Sequence, residues 1–149
     1  MDIEETHKEF FMEVTTKASI GEDFSSAVMF ELFEEVAVEN GDIEGLHYSP
    51  FQKTGLQIDG YYHDEVTDMM TIAVSDFRIS EELEKLNSDD IKTAFKRVGN
   101  FVKKAFSQNF LEELEISSQG YQVGEKLRAE KNKISRIKFI LFSNANLVS

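Results

Sequence analysis

The chain has 149 residues, 41% of them hydrophobic, with thirteen Phe and one Pro; this suits one domain with a true core and excludes a disordered polypeptide. It has no Cys, which rules out disulfides and thiolate metal sites. The net charge of −12 is unevenly spread: residues 1–65 hold 3 Lys/Arg against 16 Asp/Glu, and residues 66–149 hold 13 against 12. The whole chain therefore repels nucleic acid, and only its second half can form a local basic face.

The acidic start, Met1-Asp2-Ile3-Glu4-Glu5-Thr6, does not read as a signal peptide. No apolar run reaches the roughly 20 residues of a membrane span, so a soluble, cytoplasmic protein without a membrane partner is expected. Helical spacing of Phe10, Phe11, Val14 and Ala18 predicts a helix over 3–19, stopped by Gly21. A second helix, capped by Asp23 or Ser25, runs to about Asn40. There Asn40-Gly41 tolerates the left-handed conformation of a helix end.

Three extended segments follow, at about 45–52, 55–63 and 69–78. The second alternates Leu56, Ile58, Gly60 and Tyr62 with Gln57, Asp59 and Tyr61. The third places Met70, Ile72, Val74, Asp76 and Arg78 on one face. Asp59-Gly60 is also a hairpin-turn signal, which would leave Asp59 at a loop tip. An unbroken strand is the preferred reading, because the polar run from His63 to Asp68 already supplies a turn. Ser88-Asp89-Asp90 opens a long amphipathic helix to about Glu115, and a more polar helix spans Gln119 to Lys133. Ile137 to Phe142 reads as a buried strand. No repeat or linker divides the chain, so residues 1–149 are read as a single domain.

The expected architecture is α/β, a mixed central sheet flanked by helices in the order helix-strand-strand-strand-helix-strand. This succession resembles the restriction-endonuclease-like core with its PD-(D/E)xK motif. That resemblance implies a first acid on the second strand and a (D/E)xK triplet on the third, where Asp59 and Asp76-Phe77-Arg78 stand. Four further segments, Ile58-Asp59-Gly60-Tyr61, Val74-Ser75-Asp76-Phe77, Ala94-Phe95-Lys96-Arg97 and Ile134-Ser135-Arg136-Ile137, are similar to the N-terminal domain of abortive infection phage resistance proteins. The likeness covers nearly the whole chain. It implies a part in bacterial defence against phage, and a C-terminal region of a longer defence protein as partner.

Chemically, Asp59, Asp76 and Arg78 are the candidate catalytic residues. Asp59 and Asp76, with Glu31 (or Glu34 or Glu35) as third carboxylate, are candidate ligands for Mg²⁺ or Mn²⁺, which take oxygen donors and activate water for phosphodiester cleavage. Arg78 departs from the lysine of the triplet and cannot act as a general base; Lys92 and Lys138 are the candidate substitutes. Lys96, Arg97, Lys103 and Lys104 form a candidate nucleic-acid-binding strip, extended by Lys126, Arg128, Lys131, Lys133, Arg136 and Lys138. Each feature has an ordinary structural counterpart: a strand-end ion pair for Asp76 and Arg78, a solvated helix face for the glutamates and lysines. Two functions stay open, a nuclease-like domain with a degenerate active site and a non-catalytic protein-interaction module on a nuclease-like scaffold.

Overall fold

A computed structural model describes residues 2–21, 25–78, 82–107, 109–114 and 118–147. The alternating segments pair into a sheet of order β1-β2-β3-β5, built from β1 (His47–Lys53), β2 (Leu56–Asp64), β3 (Met69–Asp76) and β5 (Arg136–Ser143). β1 to β3 form an antiparallel meander. Its first turn uses Gly55 at φ 76°, a conformation glycine adopts without strain. The second turn falls over residues 65–68, so Asp59 lies inside a strand. β5 returns parallel to β3, in register from Met69 opposite Arg136 to Asp76 opposite Ser143. Two short strands missing from the sequence reading, β4 (Lys85–Leu86) and β6 (Asn146–Leu147), pair in a small second sheet.

Helices cover both faces, as a mixed sheet buried on both sides requires. α3 (Ser88–Ala105) and α4 (Gln119–Ala129) pack on one face over Ile58, Met70, Ile72 and Val74. On the other face α2 (Ser25–Glu39) lays Phe30 and Phe33 against Ala73 and Phe142, and α1 (Ile3–Gly21) packs on α2. The start of α3 is fixed by a capping box. Asn87 Oδ1 accepts from the Asp90 N–H at 2.9 Å, and Asp90 Oδ2 accepts from the Asn87 N–H at 3.0 Å. The expected α/β order is the order found.

Three elements end earlier than the sequence predicts, one of them α4, which stops at Ala129 rather than Lys133 where the chain passes into turns. α3 stops at Ala105, ten residues short of the expected Glu115, which itself lies outside the described residues, as does Asp23. Here the Ser107 hydroxyl donates to the Lys104 carbonyl at 2.8 Å, and Phe110 and Leu111 turn back into the core. A 3₁₀ turn over Leu111–Glu113 follows. β3 stops at Asp76 rather than 78, because a side chain holds the backbone of Arg78 in place of a neighbouring strand. The Arg78 N–H donates to Asn144 Oδ1 at 2.8 Å, and Asn144 Nδ2 donates to the Arg78 carbonyl at 2.9 Å.

Candidate functional site

β2 and β3 pair regularly from Asp64 opposite Met69 to Gly60 opposite Ala73, and there the register ends. Beyond that point side chains do the work of the ladder. Asp59 Oδ2 accepts from the Ser75 N–H at 2.7 Å, and Gln57 Nε2 donates to the Ser75 carbonyl at 2.8 Å and to Asp59 Oδ2 at 3.0 Å. The inward face also changes phase here. Leu56 and Ile58 join the core under α3 and α4, whereas Phe30 of α2 occupies the place where a Gly60 side chain would stand. Opposite, β1 runs three residues from Tyr48 to Phe51 while β2 runs two from Gly60 to Ile58, a bulge that includes Pro50.

The parted strand ends open a cleft of about 540 Å³ lined by Gln57, Asp59, Ser75, Asp76, Asp90 and Arg97, with Tyr48 and Phe51 on its walls. The two carboxylates in question thus share one cleft. Burial pushes the Asp59 carboxyl above the usual range, opposed by the hydrogen bonds from Gln57 and Ser75. A carboxyl raised in the folded state costs stability when ionised, and that cost fades as pH falls towards its ordinary 3.8. Asp59→Asn keeps one oxygen for both bonds. It is expected to raise the urea midpoint at neutral pH and to lose that advantage on acidification. Asp59→Ala instead leaves the Ser75 N–H without a partner and removes one of the two bonds of Gln57 Nε2, and is expected to lose about 1–3 kcal/mol. Urea melts of both variants at neutral and acid pH check the pair of signs.

Asp76 is held differently. Arg78 Nε donates to its Oδ1 at 2.7 Å and Arg78 Nη2 to its Oδ2 at 3.0 Å, a bidentate pair with side chains 25% and 22% exposed. Arg78 Nη2 also lies 3.4 Å from Asp90 Oδ2, and Nη1 lies 3.6 Å from Glu84 Oε1. The bonds to Asp76 raise the guanidinium's pKa further, so it stays charged. Three acids thus converge on one arginine.

Glu31 stands apart, in a separate groove with Glu34 and Leu46 that shares only Tyr48 with the cleft. Glu34 accepts from the Leu46 N–H at 3.1 Å, and burial raises its carboxyl pKa. Glu35 lies in another groove, between α1 and α2. Among the described residues no group of three or more His, Asp or Glu side chains gathers to hold a metal ion. Asp76 has both oxygens bonded to a guanidinium and Asp59 accepts two hydrogen bonds at Oδ2, so in this arrangement a divalent ion would compete with protein donors at both carboxylates. Of the basic strip, Arg97 lines the cleft, while Lys96, Lys103 and Lys104 are exposed on α3 outside its lining. Lys104 sits 5.9 Å from the Phe110 ring and Lys131 5.5 Å from the Phe106 ring. Lys92 is exposed outside the lining, and Lys138 Nζ donates to the Asp42 carbonyl at 3.1 Å, beyond the end of α2.

The family model for the abortive infection phage resistance protein N-terminal domain matches residues 26–149. The chain belongs to that family. No curated protein and no solved structure matches it. The family places this domain among phage-resistance proteins of the abortive-infection kind, and its match takes in every residue that lines the cleft. No helix among the described residues is long and apolar enough to cross a membrane.

Three cleft residues of this phage-resistance domain escaped the sequence reading as site residues. Gln57 showed only as a member of an alternating strand, Ser75 only within a segment similar to the family, and Asp90 only as part of a helix start. Asn144, which fixes the Arg78 backbone, carried no local signal. A polar residue next to an in-strand acid, as Gln57 is to Asp59 two positions on, is the one clue that was legible.

Proposed function

We propose that this domain serves its phage-resistance protein as a non-catalytic interaction module on a nuclease-like scaffold, docking another region of a defence protein. The observation that carries this reading is the bidentate Asp76–Arg78 pair, which engages both oxygens of the second acid and puts a permanent cation where a cleaving centre needs a lysine or water. Glu31, the expected third ligand, lies in a separate groove, which supports it further. Calorimetric titration of Mn²⁺ into the wild type and Asp59→Ala tests the reading: equal, non-saturable heats are expected in both. Saturable binding that Asp59→Ala abolishes would overturn it.

A second reading, metal-dependent phosphodiester cleavage, draws support from one fact: Asp59 and Asp76 line the same polar cleft with Arg97. In that reading Arg78 would release Asp76, Asp59 and Asp76 would hold Mg²⁺ or Mn²⁺, which would supply charge neutralisation and an activated water, and Lys96, Arg97, Lys103 and Lys104 would hold the nucleic-acid backbone. Binding of DNA or RNA that weakens steeply as salt rises and disappears on Lys103→Glu with Lys104→Glu supports the strip. Cleavage by the wild type that requires Mn²⁺ and Asp59 decides for an enzyme.

A further inference from the structure

On the face of the sheet opposite α3, the two N-terminal helices meet at Phe10 and Phe33, whose rings lie edge-on at 5.1 Å. Beside that contact a groove of about 510 Å³ runs between α1 and α2 and reaches the chain after β5. Its floor is apolar, with Ile3, Phe10, Leu32, Phe33 and Val36. Ile3 and Val36 are 55% and 53% exposed, unusual for large apolar side chains grouped on one surface. Glu13, Glu35 and Glu39 line the groove beside a buried His7, and no Lys or Arg does among the described residues.

The placement of those acids is itself unfavourable. Glu35 and Glu39 stand towards the carboxyl end of α2, where the helix dipole is negative, and the last turn of α2 holds no basic residue. An apolar floor suits the i, i+3, i+4, i+7 anchors of an amphipathic helix. The acidic rim, reinforced by the helix end, selects positive flanks on that helix. We propose that the groove between α1 and α2 docks a cationic amphipathic helix of a partner protein. The groove is separate from the cleft at Asp59, so its occupancy does not depend on what that cleft does.

Anisotropy of a labelled Leu/Lys peptide of about 18 residues, with Leu at helical anchor spacing, tests this against the full chain at roughly 0.15 M salt. Val36→Asp, at an exposed position, and the pair Glu35→Lys with Glu39→Lys are each expected to weaken binding by about tenfold or more. The pair Glu112→Lys with Glu113→Lys makes the same charge change beside α4 and is expected to leave affinity within about twofold. Equal losses in both charge-reversed pairs would overturn the proposal as general attraction to an acidic protein. So would no binding at all, equal binding of a Leu/Glu peptide, or a wild-type dimer that Val36→Asp dissociates, which would give the groove to a second copy. If Val36→Asp fails to fold by circular dichroism, the two charge-reversed pairs carry the comparison.

Discussion

Arg78→Met is expected to lower the unfolding free energy at neutral pH by about 2–3 kcal/mol, well above the effect of an ordinary surface ion pair. The guanidinium touches Asp76 through two bonds and approaches Asp90 and Glu84 within 3.4 and 3.6 Å. Its removal leaves three carboxylates facing one another around an apolar stem, two of them partly buried. Most of the loss then comes from uncompensated charge and not from the missing bonds. Asp76→Asn on the Arg78→Met background is therefore expected to restore most of it. Urea denaturation of wild type, single and double variants measures both steps. A single variant within about 0.5 kcal/mol of wild type would show the pair to be ordinary surface chemistry and would remove the main support for a closed second acid.

Gly60→Ala is expected to cost about 3 kcal/mol, at the upper end for overpacking a core. A Cβ at this position would press on the end of the Phe30 ring and come within 2.9 Å of the His47 carbonyl oxygen. Neither neighbour can retreat. Phe30 is 2% exposed and wedged between Tyr48 and Phe142, with ring centroids at 4.9 and 5.5 Å, and the His47 oxygen belongs to the paired backbone of β1. Relief would push β2 away from α2 and carry Asp59 off the Ser75 N–H. The same change at Gly99 meets nothing within 4 Å on α3 and is expected to stabilise by about 0.5–1 kcal/mol, the helix preference of Ala over Gly. Chemical denaturation of the two variants should give opposite signs. A Gly60→Ala protein as stable as wild type would mean that the Phe30 contact is loose and that Asp59 is not held by it.

Why glycine follows the candidate acid was legible only in part. Asp59-Gly60 admitted both a turn and a strand, and the residues after it favoured the strand because His63 to Asp68 could turn instead. The tight approach of Phe30 from α2 is the reason for the glycine, and it joins positions 30 residues apart in the chain. The triplet Asp76-Phe77-Arg78 was likewise visible as a strand-end acid with an arginine on the same side. That Arg78 also gathers Asp90 from the α3 cap and Glu84 was not visible, since neither residue carries any pattern that points to it.

The sequence by itself determined the helices, the main strands, their order and the family, because those rest on periods of about 3.6 and 2 residues and on short local segments. It also located the two acids on adjacent strands. The cleft, the splitting of the β2–β3 ladder and the arginine clasp were decided only by the tertiary structure. The bonds that make them join Asp59 to Ser75 across 16 residues and Arg78 to Asn144 across 66. Such bonds form where burial leaves a backbone or charged group without water, so they depend on which segments meet in space and not on the spacing of residues within any one of them.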